Sequence, residues 1–93
     1  MKNFIILRPI RICTDNVAKT KEYVHLGEIA IRKENIVSIA KANYSNISLT
    51  TVHGYAEPAD CVFLKVTYKV NEEKFEEVLV DEQFDEVLSQ LEE

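Results

Sequence analysis

The clearest alternation of apolar and polar residues begins at Cys61 and ends at Val70. Every second residue of this stretch is apolar: Val62, Leu64, Val66, Tyr68 and Val70. Successive side chains of a strand point to opposite faces, so this pattern predicts a half-buried strand. Asn71–Glu73 predicts a turn, and Lys74–Val80 then predicts a second strand that completes a hairpin.

After this hairpin the apolar residues change to a helical period. Four of them share one helix face: Phe84, Val87, Leu88 and Leu91. Asp81 lies where the N-cap is expected, and Glu82 follows in the first turn. A helix of about a dozen residues is marginal alone in water. We therefore expect it to dock on the sheet.

The first third of the chain predicts two strands. Phe4–Cys13 is rich in β-branched residues, and Pro9 within it predicts an edge strand or a bulge. Residues 14–21 are polar and predict a loop. Glu22–Arg32 alternates, with Gly27 predicting a bend or bulge at its middle, and residues 33–35 predict a turn.

The middle of the chain predicts two further strands and one exposed connection. Val37–Ala42 predicts a short strand, and a polar break over residues 43–46 separates it from a strand over Ile47–Tyr55. Gly54–Asp60 predicts an exposed, mobile loop.

Together these elements predict an α+β, mostly β fold. We expect a small antiparallel meander, or a bent barrel-like sheet of five to six strands, with one C-terminal helix. The chain shows no internal repeat and no linker, so residues 1–93 are expected to form a single domain. No apolar run approaches membrane-spanning length and no signal peptide is evident, which predicts a cytoplasmic protein.

Charge is distributed unevenly along the chain, whose net charge is −5. Residues 1–33 carry seven basic and three acidic groups, whereas residues 71–93 carry ten acidic groups and Lys74. This asymmetry is typical of a solvated acidic surface. It also fits a dipolar molecule that steers a partner or stacks head to tail.

No residue cluster indicates a metal, a cofactor or a catalytic centre. The two cysteines and two histidines, Cys13, His25, His53 and Cys61, lack the close spacing of zinc ligands. Both thiols are expected to be small buried hydrophobes. A Cys–His pair remains open as the basis of a small enzyme, the third hypothesis.

Two kinds of partner rank above catalysis. The apolar first strand, if it lies at a sheet edge, favours a non-enzymatic binding or regulatory module that contacts proteins and self-associates through Phe4, Ile6 and Ile10. The alternative is a nucleic-acid-binding accessory protein. Its candidate residues are basic or aromatic: Arg8, Arg11, Arg32, Lys33, Tyr23, Tyr44 and Tyr55.

From Tyr23 onward the chain contains YVHLGEIAIRKENIVSIAKAN, a polar break, CVFLKVTYKV and VLVDEQFDEVLSQL. This order resembles the small bacterial FlbD-type flagellar regulators, which have a strand, an Asn-containing turn with spaced isoleucines, a hairpin and a terminal helix. Residues 80–88 approximate the family's V-x-[DE]-S-x-x-E-[VI]-[LI] pattern without its serine, and residues 1–20 have no counterpart. The resemblance implies the fold but no catalytic residues, and we infer no flagellar role from it.

Overall fold

The computed structural model describes residues 3–15, 17, 20–50 and 56–92. Within these residues it contains seven strands, one 3-10 turn over Lys33–Asn35, and one helix. The elements are β1 (Phe4–Leu7), β2 (Pro9–Asp15), β3 (Thr20–His25), β4 (Ile29–Arg32), β5 (Ile36–Thr50), β6 (Ala56–Asn71), β7 (Lys74–Val80) and α1 (Phe84–Glu92).

The strands form two sheets. β1 and β4 make a two-stranded antiparallel sheet, and the other five close into a barrel in the order β2-β3-β5-β6-β7. The barrel is antiparallel except where β3 and β5 run parallel at Lys21 and Ile47. The predicted α+β, mostly β fold with a C-terminal helix is therefore confirmed.

The predicted strand Phe4–Cys13 is in fact two strands that belong to different sheets. β1 pairs with β4, whereas β2 pairs with β3 and, through Pro9 and Ile10, with β7. The chain changes sheets at Arg8. Pro9 follows at the first position of β2, where its missing N–H interrupts no ladder.

Gly27 marks a second change of sheet. Its φ of 98° lies in the left-handed region that favours glycine, and it separates β3 from β4 within the predicted strand Glu22–Arg32. The loop predicted over residues 14–21 is shorter than expected, because both of its ends lie in β2 and β3. The predicted turn at residues 33–35 is the 3-10 turn.

The polar break predicted at residues 43–46 does not end a strand. β5 continues through it with a bulge between Tyr44 and Ile47, and Asn46 takes a φ of 59° there. β6 begins at Ala56, so the predicted loop up to Asp60 is strand that pairs with the end of β5. Residues 51–55 lie outside the described residues.

The hairpin predicted from residue 61 to residue 80 is confirmed. Its turn is held by the Asn71 side chain, whose Oδ1 accepts the N–H of Glu73 at 2.9 Å. This is the Asx-type bond that makes asparagine a good turn residue.

β6 separates two clusters of buried residues, one on each of its faces. One face meets α1 and the inner face of β1 and β4. The buried residues of this core are Ile5, Leu7, Ile31, Leu64, Val66, Val80 and Val87. Phe63 on the other face is buried in the barrel, where the rings of Tyr23 and Tyr44 pack against it. The helix stripe is confirmed, because Val87 is buried and Phe84 and Leu91 pack against the first core.

Replacing Leu64, which is 2% exposed, by Ala should lower the free energy of unfolding by about 2–5 kcal/mol, because it leaves a cavity between the barrel and α1. The matched control is Val62→Ala two residues earlier, at a side chain that is 59% exposed, which should change stability by less than about 0.5 kcal/mol. Urea unfolding measures both. Equal losses would contradict this placement of the core.

Candidate interaction surface

The outer edge of β1 is closed by a side chain of the C-terminal helix. The side-chain amide of Gln90 accepts the N–H of Ile6 at 3.0 Å through Oε1 and donates to its C=O at 3.3 Å through Nε2. One glutamine therefore satisfies both backbone groups of Ile6, as a neighbouring strand would.

The same edge is closed at Arg8 by the two residues after β7. The Arg8 N–H donates to Glu82 Oε1 at 2.6 Å, and the N–H of Asp81 donates to the Arg8 C=O at 3.2 Å. Arg8 Nε also donates to Glu82 Oε1, at 3.3 Å. The Glu82 side chain is only 6% exposed and that of Arg8 is 55% exposed, so this charge-assisted contact is shielded from water on the side of the carboxylate.

These bonds correct the predicted helix start. The helix begins at Phe84, and Gln83 is the residue whose C=O accepts the N–H of Glu86 at 3.1 Å and of Val87 at 3.2 Å. Asp81 is not the N-cap and Glu82 is not in the first turn, because both are bonded to Arg8. The residues between β7 and α1 therefore form hydrogen bonds at the end of the β1 edge instead of capping the helix.

The opposite edge of the two-stranded sheet is open. Antiparallel residue pairs alternate between hydrogen-bonded and non-bonded. Since both backbone groups of Ile6 bond to Gln90, its pair with Ala30 is non-bonded, and the N–H and C=O of Ala30 point away from β1. The N–H and C=O of Arg32, two residues later, also point away from β1. This agrees with the hydrogen bond from Lys33 N–H to Asn3 C=O at 2.9 Å, which belongs to the next residue pair along the ladder. Among the described residues, no strand pairs with this edge of β4.

Beside the open edge, the outward face of the sheet carries two predicted interface residues. Phe4 and Ile6 are each 47% exposed, and the Arg32 guanidinium lies 5.6 Å from the Phe4 ring centroid. Ile10, the third predicted residue, is 4% exposed in β2 and does not reach this surface. It was misplaced because the chain changes sheets at Arg8.

β7 has a second open edge, which carries charged side chains. β7 meets β2 only at its last two residues, Leu79 and Val80. Its middle carries Glu76 and Glu77, and the pKa of Glu76 is lowered by hydrogen bonds from Tyr68 and Lys74. The negative charge of Glu76 disfavours pairing with a strand that carries the same charge.

The residues of the nucleic-acid hypothesis are dispersed over several elements. Arg8 is bonded to Glu82, and Arg32 lies 3.4 Å from a Glu34 oxygen. Arg11 is exposed on β2 and Lys33 is half-buried in the 3-10 turn. Tyr23 and Tyr44 pack their rings against Phe63 inside the barrel, and Tyr55 lies outside the described residues.

The thiols differ from the prediction that both are buried. Cys13 is exposed and Cys61 is half-buried. Burial raises the pKa of the Cys61 thiol, and the carboxylates of Asp81 and Asp60 raise it further. Since a catalytic cysteine needs a lowered pKa, this environment opposes a nucleophilic role. His25 Nε2 lies 3.8 Å from Asp81 Oδ2, while His53 lies outside the described residues.

A groove of about 520 Å³ lies between the start of α1 and the neighbouring strands. Its residues are mainly polar or charged: Lys41, Asn43, Val62, Leu64, Asp81, Glu82, Gln83, Phe84 and Asp85. Lys41 Nζ lies 5.5 Å from the Phe84 ring centroid, so a cation of the chain itself already contacts the aromatic wall. A second groove lies beside Cys61, and among the described residues that line the two grooves there is no histidine.

No family model, curated protein or solved structure matches this chain. Within the described ranges, no group of three or more His, Cys, Asp or Glu side chains is placed to hold a metal ion. In the same part of the chain, no helix has both the length and the apolar character that crossing a membrane requires. The resemblance to the FlbD-type regulators stays a prediction.

Gln90→Ala should open the edge of β1 at Ile6. We expect it to cost about 0.5–1.5 kcal/mol and to speed hydrogen exchange of the Ile6 amide, because that N–H loses its acceptor. The Arg8 amide should keep its protection, since Glu82 holds it. The control is Gln83→Ala, which removes an exposed amide side chain. Unchanged exchange at Ile6 would contradict the closed edge.

Proposed function

We propose that this protein is a non-enzymatic, cytoplasmic binding module that takes up an additional β-strand along the edge of β4 and self-associates there. The observation that carries the proposal is the asymmetry of the two-stranded sheet. Its β1 edge is bonded at Ile6 and Arg8, whereas the Ala30 and Arg32 backbone groups of β4 face outward without a strand partner.

An unpaired strand edge favours strand addition because every outward N–H and C=O gains a bond to the added chain. Edges are usually blocked by proline, a bulge, charged side chains or a very short strand. The four residues of β4, Ile29-Ala30-Ile31-Arg32, contain no proline and pair with β1 without a bulge, but the strand is short and Arg32 places a charge on it. Its central outward residue is a small alanine, which lets another backbone approach.

The surroundings of the edge support a protein partner. Phe4 and Ile6 add exposed apolar surface on the adjoining strand, and the guanidinium of Arg32 covers part of the Phe4 ring. Aromatic and arginine side chains are enriched at protein interfaces. The raised pKa of Cys61 and the dispersal of the basic residues give less support to an enzyme or to a nucleic-acid-binding protein.

Ala30→Pro tests the proposal by removing one outward N–H. Because that N–H takes no part in the ladder with β1, the fold should persist while self-association is lost. The matched control is Ala30→Ser, which keeps both the N–H and a small side chain and should still associate. Size-exclusion chromatography with light scattering, run across about a hundredfold range of concentration, measures the mass, and thermal unfolding checks the fold. A wild-type chain that stays monomeric throughout would contradict the proposal.

A further inference from the structure

We infer that the strand taken up by β4 is β4 of a second copy of this chain, antiparallel to the first and centred on Ala30. The inference rests on the proposed function and adds which strand of the second copy is taken up, and in which register. The two sheets would then merge in the order β1-β4-β4-β1, and the two closed β1 edges would become the outer edges of a four-stranded sheet.

The direction in which the N–H and C=O groups of β4 point suits this arrangement. Ala30 directs both its N–H and its C=O away from β1, so two copies of Ala30 placed opposite each other exchange two hydrogen bonds. A two-fold axis through this pair makes the contact self-complementary, as the interfaces of symmetric dimers are. The alanine side chain is small, so the two copies meet without a clash.

Charge favours one register. Glu28 and Arg32 lie two residues before and two residues after Ala30, and both are exposed. With Ala30 opposite its counterpart, Glu28, the residue directly before β4, comes beside Arg32 of the other copy. The interface therefore contains two opposite-charge pairs, and such cross-strand pairs stabilise an antiparallel sheet.

Two registers that are shifted toward the C-terminal end and keep the same direction of the backbone groups bring like charges together. A shift toward the C-terminal end places Glu28 opposite Glu34, and a further shift places Arg32 opposite its own copy. Like charges directly opposite each other destabilise a strand pair. Of these three registers, the one centred on Ala30 is favoured.

Arg32 is also held in position for this contact. Its guanidinium stacks 5.6 Å from the Phe4 ring centroid, and Phe4 lies directly across from Arg32 in the β1–β4 ladder. The ion pair with Glu34 is open to water, since the side chains are 61% and 72% exposed. An exposed pair of this kind is weak, so Arg32 exchanges it readily for Glu28 of a second copy.

Reversal of the two charges tests the register. Glu28→Arg alone places two arginines opposite each other at both pairs, and Arg32→Glu alone places two glutamates there. Each variant should self-associate at least about tenfold more weakly than the wild type. Mixing the two variants restores opposite charges at both pairs, so the mixture should form a heterodimer of wild-type affinity. Native mass spectrometry separates the heterodimer from either homodimer by mass.

Glu73→Arg, the same charge change in the exposed hairpin turn, is the matched control and should associate as the wild type does. Self-association that is unaffected by either reversal, but lost in Ala30→Pro, would overturn the register and leave the proposed strand addition standing. Variants that stay monomeric when mixed would also overturn the register. A monomeric wild type would overturn both proposals.

Discussion

The contact between the segment after β7 and the first strand governs which surfaces this molecule leaves available. Asp81, Glu82 and Gln90 are bonded to the backbone of Ile6 and Arg8, more than seventy residues earlier in the chain. Burial of the helix stripe against Leu64 brings these polar groups into range. This contact holds the N–H and C=O of Ile6 on the side away from β4. The backbone groups of Ala30 and Arg32 therefore point away from β1.

Much of the fold could be predicted because the spacing of apolar residues and the residues that favour turns are read from short stretches of sequence. The hairpin and the helix follow from alternation, from the asparagine turn and from a four-residue apolar stripe. The sheet changes at Arg8 and Gly27 could not be read in the same way. Strand-forming residues lie on both sides of each position, and only the competing partners β4, β3 and β7 decide that the chain divides there. Likewise, a polar stretch at residues 43–46 fits a bulge as well as a loop.

The candidate surface was predicted in part. Phe4 and Ile6 were identified from their apolar character, yet the open edge was assigned to the first strand and lies on β4 instead. Of the two decisive side chains, Glu82 was placed in the first turn of the helix and Gln90 was given no role. Nothing local to residues 82–90 indicates a bond to residue 6 or 8. Glu28 and Arg32, at a spacing of four around a small residue, are the sequence feature on which the proposed self-pairing rests.

Amide hydrogen exchange measured at several protein concentrations tests the central claim most directly, because it reports on both edges of the same sheet. The account predicts that the Ile6 and Arg8 amides are protected at every concentration. It also predicts that the Ala30 and Arg32 amides exchange fast when the protein is dilute and become protected as its concentration rises. Fast exchange of Ala30 and Arg32 at every concentration would contradict it.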